Sequence, residues 1–166
     1  MKTANTLFGD KIIIDRRSAG MVAQKAGALF EDQVKFELED YNINITSQPY
    51  FYCHFGLPRR GDFLINTGDK EIHIECKQLG NVQSHFDKLS HCLLNLYAGC
   101  YGNYFWLIYD YAKDGTYGSL KKIHKLVDRC KEVKQQVSVQ GINFELIHLD
   151  DLHNYMKDYK IEKEVK

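Results

Sequence analysis

With 166 residues, 44% of them hydrophobic and 13% aromatic, the chain has the length of one ordinary domain and can fill a core. Its 22 basic and 22 acidic residues cancel, which argues against a highly charged binding arm but leaves nucleic acid open as a partner, because affinity depends on where cations cluster. No run approaches the ~20 apolar residues of a membrane span, the start lacks an apolar signal core, and five cysteines without Cys-x-x-Cys spacing offer neither a disulfide framework nor a zinc site, so a cytoplasmic protein with reduced thiols is expected.

Residues 1–17 read as an arm whose Ile12-Ile13-Ile14 run is an edge strand or a packed segment. Asp15-Arg16-Arg17 within it is a phosphate contact or a solvated charge cluster. From Ser18 to Asp40, Val22, Ala26, Phe30, Val34 and Leu38 recur every four residues beside Leu29, which predicts an amphipathic helix. Glu31 lies about 100° around from Phe30, on the border of the stripe. It either follows the rim of the core or pairs with Lys35 on the surface. Asn42 to Cys53 reads as one half-buried strand, with Pro49 at an edge or bulge, and His54 to Arg60 as a loop leading to Asp62. Arg59 and Arg60 are placed to hold phosphate oxygens or to balance nearby carboxylates.

Two apolar runs then flank Asn66-Thr67-Gly68-Asp69-Lys70, and a glycine among polar residues is what a tight turn between antiparallel strands requires. In the second strand Ile72, Ile74 and Cys76 face a core, leaving His73, Glu75 and Lys77 on the opposite surface. A register closing around Gly68 brings Asp62 toward Glu75. Two adjacent carboxylates need a proton or a cation between them, and an all-oxygen set suits Mg²⁺ or Mn²⁺. With a lysine alongside, the chemistry favoured is metal-assisted phosphodiester hydrolysis.

Beyond Leu79-Gly80-Asn81, Ser84 can cap a helix running to about Ala98, with Gln83, His85 and Lys88 at its start near the catalytic strand. Tyr104 to Tyr109 is a continuous apolar run suited to a central strand buried on both faces. Ser119 to Gln136 predicts a second long helix whose Lys121, Lys122, Lys125, Arg129, Lys131 and Lys134 make a basic face, either tracking a nucleic-acid backbone or simply solvated. Phe144 to Leu149 follows as a strand and Leu152 to Lys166 as a charged terminal helix. The order predicts an α/β fold, a mixed β-sheet flanked by α-helices, in one domain with its core at about 18–150 and its charged C-terminal helix at 151–166.

Asp62 followed by Glu75-Cys76-Lys77 resembles the motif of the PD-(D/E)XK nuclease superfamily, with Gly61 where that family often has Pro. The resemblance implies a restriction-endonuclease-like fold over roughly residues 18–150. It also implies that Asp62, Glu75 and the Cys76 carbonyl hold the metal, that Lys77 serves catalysis, and that Gln78 is the polar residue many members carry after the lysine. Gly27-Ala28-Leu29-Phe30-Glu31 looks like the family's first-helix segment, which makes Glu31 a further candidate ligand. The implied activity is a Mg²⁺-dependent endodeoxyribonuclease, leaning to a Holliday junction resolvase working as a homodimer on DNA. A restriction or homing endonuclease, a nuclease acting on RNA, and a non-catalytic DNA-binding domain of the same fold are the alternatives.

Overall fold

The computed structural model describes residues 3–5, 11–13, 16–41, 43–79, 82–111 and 120–159, without the side chains of 3–26, 82–88, 120–123 and 126. Strands β1 (Thr3–Asn5) and β2 (Lys11–Ile13) pair antiparallel as a ribbon of their own. Helix α1 (Arg16–Glu39) follows, as its four-residue recurrence predicts, and packs Phe30, Val34 and Leu38 into the core. The phosphate contact considered for Asp15, Arg16 and Arg17, and the residues 160–166 of the terminal helix, lie outside what is described.

The segment from 42 to 53 is not one strand. β3 (Asn44–Ser47) ends where Gln48 takes a left-handed backbone, φ 52°, ahead of Pro49, and the chain leaves the main sheet. Gln48 N–H then donates to the Asp62 carbonyl at 2.9 Å, and Gly61 N–H to the Pro49 carbonyl at 2.9 Å. The expelled residues form β4 (Tyr50–Tyr52), which pairs antiparallel with β5 (Pro58–Arg60) in a separate two-stranded ribbon. Residues expected to be loop up to Arg60 therefore include a strand.

The hairpin forms as the turn chemistry requires. β6 (Phe63–Asn66) and β7 (Glu71–Leu79) pair with Phe63 opposite Ile74 and Asn66 opposite Glu71. Gly68 has φ 93°, which its missing Cβ permits, and its N–H donates to Asn66 Oδ1 at 2.8 Å. Helix α2 (Val82–Tyr97) leads to β8 (Tyr104–Tyr111), α3 (Leu120–Ser138) to β9 (Asn143–His148), and a 3₁₀ turn (Leu149–Asp151) to α4 (Leu152–Asp158).

The main sheet has the order β3-β6-β7-β8-β9, antiparallel up to β7 and parallel from β7 to β9. Helices cover both faces, giving the expected mixed α/β architecture. On one side Ile72, Ile74 and Cys76 pack with α1 and with Leu152 and Met156 of α4. On the other, Phe105, Leu107 and Phe144 pack with Leu89, Cys92 and Leu96 of α2 and Cys130 and Val133 of α3. Phe51 and Tyr101 join that second cluster and reach the His73 ring, so the face of β7 carrying Glu75 is partly roofed. That face is not the open surface expected: Glu75 is only 9% exposed. Among the described residues no helix is long and apolar enough to cross a membrane.

Candidate active site

Asp62 closes the bend that ends the β4–β5 ribbon, and Glu75, Cys76 and Lys77 lie in the middle of β7. The register of the hairpin carries Asp62 to them. Its Oδ2 accepts the backbone N–H of Cys76 at 2.6 Å, which fixes the carboxylate against the strand. The Lys77 ammonium then lies 2.7 Å from Glu75 Oε2, 3.0 Å from the Cys76 carbonyl oxygen and 3.4 Å from Asp62 Oδ2. Three oxygens thus converge on one cation: the two carboxylates that the hairpin spacing brought together, and the Cys76 carbonyl that the resemblance implied.

Burial sets the electrostatics. It pushes Glu75 above the ordinary carboxylate range, and the charges of Asp62 and Glu31 add to that shift against the pull of Lys77. For Lys77 burial alone would favour the neutral amine, but Glu75 and Asp62 outweigh it and keep the ammonium charged well beyond its usual range. Buried Cys76 is likewise raised far above a free thiol, so it is inert and contributes its backbone alone.

Mg²⁺ is commonly held by one or two carboxylates with water and substrate phosphate completing the shell, and two carboxylates plus a carbonyl fit that pattern. Asp62, Glu75 and Cys76 O are therefore the atoms suited to it. Among the described residues no three His, Cys, Asp or Glu side chains gather to form a fuller cage. Glu31 of α1 is near enough to raise Glu75, while its neighbour Lys35 pairs with Glu39 at 3.5 Å. Gln78 follows Lys77 and by strand alternation points to the other face of β7, in register with Asp110.

The two arginines separate. Arg60 is opposite Tyr50, donates to its hydroxyl at 2.7 Å and to Gln48 Oε1 at 2.9 Å, and lies over the Tyr50 ring. Arg59 is opposite Phe51, on the side of the ribbon turned to the site. There burial would raise the Cys53 thiol, yet the backbone N–H groups of Phe55 and Leu57 and the Arg59 guanidinium more than offset it and leave Cys53 below its ordinary pKa. Lys88 belongs to α2, and its side chain, like those of Gln83 and His85, lies outside what is described.

Sequence reasoning missed the wall facing Glu75. Phe51, His54, Phe55, Asn95 and Tyr101 enclose with Glu75 and Arg59 a cleft of about 370 Å³. Asn95, 8% exposed, was the available signal: a polar residue set between Cys92 and Leu96 on the apolar stripe of α2. Compared with known proteins, the chain matches no family model, no curated protein and no solved structure.

Proposed function

We propose that the chain is a metal-dependent endonuclease that hydrolyses DNA phosphodiester bonds. The observation that supports this reading is the convergence of Asp62 Oδ2, Glu75 Oε2 and Cys76 O on the Lys77 ammonium at the wall of an open cleft. Asp62, Glu75 and the Cys76 carbonyl would hold Mg²⁺ or Mn²⁺. When bound, that ion supplies Lewis acidity and a more acidic water. Lys77, held charged by its two carboxylates, meets the negative charge that develops on the phosphate oxygens during attack. The Cys76 N–H bond to Asp62 keeps the carboxylate aimed before substrate arrives. Arg59, on the site-facing side of the ribbon, holds a neighbouring phosphate.

A branch-selective enzyme of the Holliday junction resolvase kind is the proposed class. Cutting two strands takes two active sites, which a homodimer supplies. Leu29 and Phe36, seven residues apart on α1 and each about two-thirds exposed, offer apolar surface for it. The test is cleavage of labelled linear duplex, single strand, flap, four-way junction and matched RNA with Mg²⁺, Mn²⁺ or EDTA, beside Asp62→Ala and Lys77→Ala. Metal-dependent cutting of the junction, lost in both variants, is expected. Cutting that survives either substitution would sink the assignment, and binding without any cutting would make the chain a non-catalytic DNA-binding domain.

A further inference from the structure

Glu75 belongs to two things at once: the carboxylate–lysine cluster and the wall of the 370 Å³ cleft. The cleft is built of rings. Phe51 and Tyr101, both buried, stand 4.8 Å apart between centroids, and at the mouth His54 and Phe55 stand 3.9 Å apart. Polar groups sit among them. The buried Asn95 Oδ1 accepts the His54 backbone N–H at 3.2 Å and lies 2.7 Å from His54 Nδ1, which fixes the imidazole plane, while Arg59 and Arg60 border the opening.

We infer that this cleft receives one unstacked nucleobase, from the nucleotide next to the phosphate held at Asp62, Glu75 and Lys77. The inference rests on the nuclease reading above. Because Glu75 is shared, a strand that places a phosphate on the cluster must place its adjoining nucleotide at the cleft. Every base has a π-face, so aromatic rings hold a base without regard to sequence, and arginines at the rim meet the flanking backbone. A volume at the low end of small-ligand pockets suits one nucleoside and cannot admit a duplex. A base stacked on both sides within a continuous helix cannot enter without being extruded. The substrate class is therefore a strand with an unstacked nucleotide at the cut: a single strand, a flap or the crossover of a branch.

The experiment uses the whole chain in EDTA, so that binding is read without cutting. Oligonucleotides of one sequence carry a single 2-aminopurine at successive positions, as single strand and as perfect duplex. Expected are an affinity for the single strand at least about tenfold above that for the duplex and 2-aminopurine quenching confined to one or two positions. Phe55→Ala, at a residue that is 71% exposed and so not needed for the core, should weaken single-strand binding about tenfold at an unchanged melting temperature. Equal affinity for single strand and duplex, or single-strand binding indifferent to Phe55→Ala, would overturn the inference. Cleavage with Mg²⁺, run beside Lys77→Ala, separates the two readings. Lysine-dependent cutting with no role for Phe55 removes the base cleft and keeps the nuclease, whereas Phe55-dependent capture without cutting keeps the cleft and removes the nuclease.

Discussion

Lys77 is the residue on which the site balances. Its partners Glu75 and Asp62 have side chains only 11% and 18% exposed, so neither carboxylate can rely on water once the ammonium is gone. Lys77→Met should therefore cost about 3–5 kcal/mol of stability as well as activity, read from urea unfolding followed by circular dichroism. A loss below about 1 kcal/mol would mean that solvent reaches the pair freely. This trio was readable from the sequence because strand alternation and a glycine turn are local facts. The face of His73 was equally readable, but its surroundings were not. Its Nδ1 is buried against the Phe51 and Tyr101 rings with no hydrogen-bond partner among the described residues, an arrangement that depends on residues far away in the chain. Replacing such a group by an apolar ring removes a desolvation cost, so His73→Phe is expected to gain about 1 kcal/mol in the same unfolding assay. A loss instead would show that the extra ring atom does not fit.

At the scale of elements, the helices and the hairpin were readable because each is encoded in a short window: the four-residue stripe of α1, the apolar face of α2, Gly68 between two apolar runs. The β4–β5 ribbon was not, because Tyr50-Phe51-Tyr52 continues the apolar run and only bonds to Gly61 and Asp62 reveal that the chain has left the sheet. Those bonds also make Gly61 a position that proline cannot fill. Gly61 N–H donates to the Pro49 carbonyl, and proline has no N–H to give. Gly61→Pro should thus cost about 1–3 kcal/mol by orphaning a buried carbonyl. In Gly61→Ala the added Cβ would meet Glu75 Oε1 at 3.5 Å and Pro49 Cγ at 3.6 Å, ordinary contacts, and stability should hold within about 0.5 kcal/mol. Equal melting temperatures for the alanine and proline variants would refute the role given to this bond.

Over the whole molecule, the proposed function makes charge the means by which nucleic acid would be held. Three cations of the basic face expected on α3 are paired, Lys131 with Asp128, Arg129 with Glu132, and Lys134 with Glu145, while the side chains of Lys121 and Lys122 lie outside what is described. Such exposed pairs contribute little to stability, but they cancel the field that a phosphate backbone would feel. With 22 acidic residues matching 22 basic ones across the chain, Arg59 and Arg60 at the cleft are the described cations best placed to attract a strand bound there. Each phosphate neutralised on a single strand lowers the slope of log K against log salt by about 0.7, so two or three contacts predict a slope of about −1.4 to −2.1. Fluorescence anisotropy of a labelled single strand in EDTA between 50 and 200 mM salt, roughly the range over which such slopes are read, measures it directly. Arg59→Ala should flatten the slope by about 0.7, because one counterion fewer is released. A slope steeper than about −4, unchanged by that substitution, would instead mean that the α3 pairs open and that the helix lies along the strand.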